Sequence, residues 1–330
     1  MQSDTRAKFR HALRIAGGLS LPLIAGEALG WSLPFLGSIF ALQLLAVRRP
    51  VLSLSEGVVA VLGLAIVFNV ASVVTSIALP SPIVFASLIS LVVFLAFYAL
   101  ARTASPVWFM MLIAMTVLPV IANQSKEASS ELISGLTASM ACAIATVWLV
   151  FALFPEPEAI TVPAKPDGLP AEQAGRMALT YTLVVMPLLL LLLFQNSTFV
   201  IVMMTTLAII QASAKVRSAR AATGIVVGNV IAGLIAGFAY FLIESAPTLP
   251  FLAAIVILIS LLFGAGIAAA DERSPLVAVM ASATFILLGL GLTPFMDTST
   301  AFASRVAGVV LASLYCVGML AILLPRTASR

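Results

Sequence analysis

The sequence predicts an all-α integral membrane protein of about twelve transmembrane helices, arranged as two parallel six-helix repeats. Three observations lead there. The first is composition: 62% of the 330 residues are hydrophobic and 9% are charged, with a mean hydropathy of +1.18. A soluble domain carries about 25% charged residues, so polar side chain is too scarce here to cover a water-soluble particle. The second is the recurrence of apolar runs of spanning length, and the third is a cation distribution that alternates with those runs. Composition therefore excludes a soluble enzyme, a disordered tail and a nucleic-acid module. The net charge is only +4, and the cations stand in small groups at the ends of apolar runs, as in membrane orientation rather than phosphate binding.

A span needs about 20 mostly apolar residues. In the first part of the chain such runs fall at 12–30, 32–47, 52–79, 82–101, 105–122 and 130–154. The first follows a basic stretch and mimics a signal peptide, but a second run follows at once, so it reads as a retained span. The second is set off by residues 30–34, where Pro34 favours a turn and a short re-entrant pair is the alternative. Ser55-Glu56-Gly57 opens the third run, Ser105-Pro106 opens the fifth, and Phe154-Pro155 closes the sixth. Residues 156–175 are rich in Pro, Ala and charge and read as a flexible cytoplasmic linker. The runs resume at 176–194, 197–213, 220–243, 248–269, 275–293 and 301–324. The weak boundary in this part is the Asn196-Ser197 pair, again with a re-entrant alternative.

With the amino terminus inside, fifteen of the Lys and Arg residues fall on the inner side, and only Lys126 and Arg305 fall outside. That is a positive-inside pattern with both termini cytoplasmic.

The two halves, 1–155 and 176–330, echo each other at an offset of 166–170 residues. Arg10-His11-Ala12-Leu13 opens one and Arg176-Met177-Ala178-Leu179 the other. Gln43 precedes Arg48 and Arg49 as Gln211 precedes Lys215 and Arg217, and Ser55-Glu56-Gly57 answers Ala222-Thr223-Gly224. Ser105-Pro106 matches Ser274-Pro275, and Phe154-Pro155 matches Leu324-Pro325. An even number of spans per half makes the repeat parallel, about an axis along the membrane normal.

Small residues four apart, at Gly26/Gly30, Gly224/Gly228 and Gly233/Gly237, suit close helix packing. Polar residues deep in the runs are fewer: Glu27, Gln43, Asn69, Gln211 and Asn229. Burying an unpaired amide or acid in hydrocarbon costs several kcal/mol, roughly. Each is either an interhelical staple or part of a substrate or ion path. Glu27 pairs with Arg305, reaches the outer surface, or exchanges a proton in coupling to a gradient. Arg48, Arg49, Lys215 and Arg217 form a basic mouth on the cytoplasmic side, as anchors against anionic lipid or as a means of concentrating an anionic substrate. Cys142 and Cys316 lie inside apolar runs and read as small buried residues. His11, the single histidine, has no metal-ligand companions in sequence, no phosphate loop is present, and no catalytic residue, cofactor or metal is expected.

The chain resembles the fusaric acid resistance (FUSC) family of bacterial inner-membrane proteins. The resemblance rests on Arg10-x-Ala-Leu-Arg14, Trp31-Ser-Leu-Pro-Phe and Leu52-Ser-Leu-Ser-Glu56-Gly57 in the first half. In the second it rests on Ser218-Ala-Arg220-Ala-Ala-Thr-Gly224-Ile-Val-Val-Gly228 and Ser304-Arg305-Val-Ala-Gly308. Larger members carry a soluble cytoplasmic region after each six-span block, so this chain looks like a compact branch. The resemblance implies an inner-membrane secondary exporter of small organic or aromatic acid anions that works with a periplasmic adaptor protein. A passive organic-anion channel and a non-transporting anchor subunit are the alternatives, and homo-oligomer formation stays open.

Overall fold

The computed structural model describes residues 2–31, 33–46, 51–103, 105–123, 125–155, 168–193, 203, 206–207, 210, 219–269, 273–292, 311, 314–315 and 318–319. Among these residues the regular structure is all helix, with no strand. Ten helices are defined: α1 (Gln2–Ala28), α2 (Phe35–Leu45), α3 (Leu54–Ala78), α4 (Pro82–Thr103), α5 (Pro106–Ala122), α6 (Lys126–Leu153), α7 (Ala171–Leu193), α8 (Ala219–Ser245), α9 (Leu249–Ala268) and α10 (Ser274–Leu292). Seven of them, α3, α4 and α6–α10, contain stretches long and apolar enough to cross a membrane. The protein is a multi-pass helical membrane protein.

Local chemistry sets the boundaries. Ser53 and Glu56 form a reciprocal capping box at the start of α3: the Ser53 N–H donates to Glu56 Oε2 at 2.8 Å and the Glu56 N–H donates to Ser53 Oγ at 3.3 Å. Pro82 and Pro106 open α4 and α5, and Pro250 stands second in α9, where a missing N–H leaves no intrahelical bond unmade. Gly30, at φ 67, follows α1 and reverses the chain toward α2. The last part of the linker is fixed rather than free. Leu169 N–H donates to the Ala101 carbonyl at 2.9 Å, and the Arg102 guanidinium donates to the Leu169 carbonyl at 3.1 Å. This stitch satisfies a carbonyl left open at the end of α4. Gly168 permits it, since a Cβ there would overlap the Arg102 backbone.

Contacts divide the chain into two compact units. One comprises Met1–Leu62, Ser134–Pro163 and Val227–Val306; the other comprises Gly63–Ile133, Ala164–Val226 and Ala307–Arg330. Each draws on both halves of the sequence. In the first unit α1 packs along α9 and α2, and α10 packs on α2 and α9. In the second, α4 packs against α7 and α5, with Phe97 and Tyr181 in a tilted ring contact at 5.4 Å.

The first unit is built around α1, whose Ile15, Leu19 and Leu23 are wholly buried. Small residues let its neighbours approach. A Cβ at Gly17 would meet Val150 at 2.7 Å, and one at Gly264 would meet the Ala12 carbonyl at 2.5 Å. The helix α2 has 11 residues and rises about 16 Å, roughly half the hydrocarbon thickness. Nine of those residues are buried. Two hydroxyls join it and its entry turn to their neighbours: Ser38 Oγ donates to the Leu19 carbonyl at 2.6 Å, and Ser139 Oγ to the Leu33 carbonyl at 3.3 Å.

Candidate functional site

Among the described residues, α1 carries a buried charge. Arg14 is 1% exposed, in the same class as the core phenylalanines Phe35 and Phe68. Its guanidinium carbon stands 4.7 Å from the centre of the Phe151 ring on α6, within the range of a desolvated cation–π contact. His11, one turn earlier on the same face, is 6% exposed. Arg10 continues that face outward and donates to the Pro155 carbonyl at 3.2 Å. Phe151 and Pro155 lie four apart on α6 and its exit, as Arg10 and Arg14 lie four apart on α1. The two helices are thus joined at one end by paired polar contacts one turn apart. Beyond Arg14 the same helix carries Ser20, buried and donating back to the Ala16 carbonyl at 2.8 Å. Next comes Pro22, which has no N–H to give the Gly18 carbonyl.

Glu27 lies near the far end of α1, half-buried, about 20 Å along the axis from Arg14. Among the described residues, none donates a hydrogen bond to its carboxylate. Arg305, the proposed partner, lies outside the described residues, as do Gln211, Arg48, Arg49, Lys215 and Arg217. The structure does not bring the other path residues to α1's buried face. Gln43 on α2 and Asn69 on α3 are exposed on their helices, and Asn69 donates to the Ala65 carbonyl one turn back, at 2.8 Å. Asn229 on α8 is buried at 4% exposure and engaged. Among the described residues no cluster of His, Cys, Asp or Glu is arranged to hold a metal.

Arg14 and His11, which the sequence places among the basic residues at the inner end of the first run, are both buried. A signal was available, since Arg14 stands inside the first apolar run, at 12–30. A guanidinium there is the residue type that marks an ion or substrate path in a membrane bundle. Chemically, the arrangement offers a permanent cation, a ring face beside it, and a carboxylate at the other end of the same helix.

A family model described as a protein of unknown function (DUF2955) matches residues 11–150. The matched stretch begins at His11 on α1 and ends at Val150 on α6, one residue before Phe151. No curated protein and no solved structure matches the chain.

Proposed function

We propose that the chain is a bacterial inner-membrane transporter of twelve spans with both termini cytoplasmic. In this reading it is a secondary, ion-gradient-driven exporter of small organic or aromatic acid anions that works with a periplasmic adaptor, and it is not an enzyme. The observation that carries the reading is the buried Arg14 against Phe151. A guanidinium keeps its charge at any working pH. Arg14 stands two residues inside the apolar run 12–30, and burying a charge away from water carries a cost that its contacts must offset. Anchoring to the lipid surface does not explain it, because Arg14 is shut away from the surface. A planar guanidinium receives a carboxylate through two parallel hydrogen bonds, and the neighbouring ring suits an apolar or aromatic body. The FUSC-like motifs supply the export direction, the adaptor and the substrate class.

Two features support the duplicated architecture. Prolines recur at matching places: Pro22 and Pro187 inside the first helix of each half, Pro82 and Pro250 at the start of the fourth, Pro106 and Pro275 at the start of the fifth. The packing recurs as well. In one unit the first helix of the first half packs on the fourth of the second; in the other, the fourth of the first half packs on the first of the second. The charge does not recur, because the counterpart of Arg14 is Thr180.

The test is transport by the purified chain in proteoliposomes, with a labelled aromatic carboxylate and an imposed proton gradient. Accumulation against the carboxylate gradient is expected, and it separates an exporter from a passive channel. Arg14→Gln should lower the rate by about tenfold or more, the loss of one charged bidentate contact. Glu27→Gln should abolish gradient-driven accumulation while counterflow exchange continues. An Arg14→Gln protein that is folded and transports at the parent rate sinks the reading.

A further inference from the structure

The helix α3 has two faces that differ in what they meet. Gly57, Leu64, Ala71 and Ala78 recur every seven residues and are all buried. The opposite face is exposed along its length, at Val59, Leu62, Ile66, Asn69, Val73 and Ser76. These six follow one another at alternating steps of three and four, the seam spacing of a left-handed helix pair. The seam has a further order. The positions that open each three-residue step, Val59, Ile66 and Val73, are all β-branched, and those that close it are Leu62, Asn69 and Ser76.

Asn69 stands in the middle of this seam, about 20 Å along α3 from Glu56. That is inside the hydrocarbon of any bilayer the helix crosses. One of its amide hydrogens is used on the Ala65 carbonyl. Asn69 is exposed, and among the described residues its other hydrogen and its carbonyl oxygen have no partner; lipid would offer none. An amide is both donor and acceptor, so the group that fits it best is a second amide.

We propose that α3 is the dimer interface of this protein, with Asn69 of one copy hydrogen-bonded to Asn69 of the other. Copies of one chain share their orientation in a membrane, so their α3 helices run parallel. Parallel pairing in register is the arrangement that sets the same seam position opposite itself. The seam of one copy packs into that of its partner at the shallow crossing usual for membrane helices. The amide pair fixes register at the centre.

The experiment uses the full chain in native membranes, with Cys142 and Cys316 replaced by Ala. Single cysteines are placed by Leu62→Cys, Asn69→Cys and Val73→Cys on the seam, and by Leu234→Cys on the exposed face of α8 as a control. Oxidation should join the seam variants into dimers and leave Leu234→Cys monomeric. In detergent, Asn69→Leu in the otherwise native chain should weaken the dimer by about three- to twentyfold, and Asn69→Gln should restore part of it. Absence of cross-linking at all three seam positions overturns the proposal. So does a monomeric chain in which Asn69→Cys reacts with a water-soluble maleimide, a result that assigns Asn69 to an aqueous path instead.

Discussion

The contact between Arg14 and Phe151 makes a prediction that separates structural from functional retention of a buried charge. The perturbation is a double-mutant cycle of Arg14→Met and Phe151→Leu. The guanidinium lies 4.7 Å from the ring centre and is 1% exposed, so water does not screen the pair. A desolvated cation–π contact contributes about 2 kcal/mol, and the coupling in the cycle should fall at about 1–2 kcal/mol, roughly a 5- to 30-fold effect on the unfolding constant. Arg14→Met alone removes a buried charge and keeps an unbranched apolar side chain of similar length. It also gives up the other contacts Arg14 makes, so the single change is expected to destabilise and only the coupling in the cycle isolates the ring contact. Phe151→Leu in the parent chain strips the ring from a charge that stays, and should destabilise more than the same change in the Arg14→Met background. The assay is equilibrium unfolding in mixed micelles, followed by helicity and by protease protection of the same samples. Transport measured beside it, on the fraction that is folded, should be lost in Arg14→Met. A coupling under about 0.3 kcal/mol, the scatter of independent sites, refutes the cation–π account. Retained transport in Arg14→Met refutes a substrate role.

Two further predictions test the packing and the orientation. Gly264→Val should part α1 from α9 and destabilise the protein by about 1–3 kcal/mol, because the new Cβ would lie 2.5 Å from the Ala12 carbonyl oxygen and 3.3 Å from the Ala16 nitrogen, backbone atoms that have no rotamer to escape by; a parent-like melting temperature argues against that close approach. Glu127→Cys and Glu172→Cys, both exposed and at the starts of α6 and α7, should react with an impermeant reagent from opposite sides of the membrane, Glu127→Cys from the periplasm, and labelling of both from one side overturns the proposed topology.

Which parts of this molecule were legible in its sequence follows from the solvent it is built for. Helix positions were readable because prolines and caps punctuate them: Pro82, Pro106 and the Ser53–Glu56 box begin helices where the pattern places them. Helix faces were not. In water an amphipathic stripe tells inside from outside, but lipid is as apolar as a protein core, so polarity carries little direction. A polar residue within a run was therefore read as buried, whereas Gln43 and Asn69 face outward. Position along the chain counts Arg14 among the inner-side cations and says nothing of its burial, which only the packing of α1 reveals. Size carries the direction that polarity lacks. On α8 the buried face is Ala232, Ala236 and Ala239, while Leu234, Phe238 and Phe241 stand exposed at 66–69%. Small residues go inward because dispersion between closely approaching backbones, rather than expulsion of water, holds such helices together. Large apolar side chains lose nothing by facing lipid. The glycine pairs noted in the sequence pointed to this in part, for Gly228 and Gly233 are buried on α8. The alanines that complete the face are too common in the chain to stand out until the helix is seen from its end.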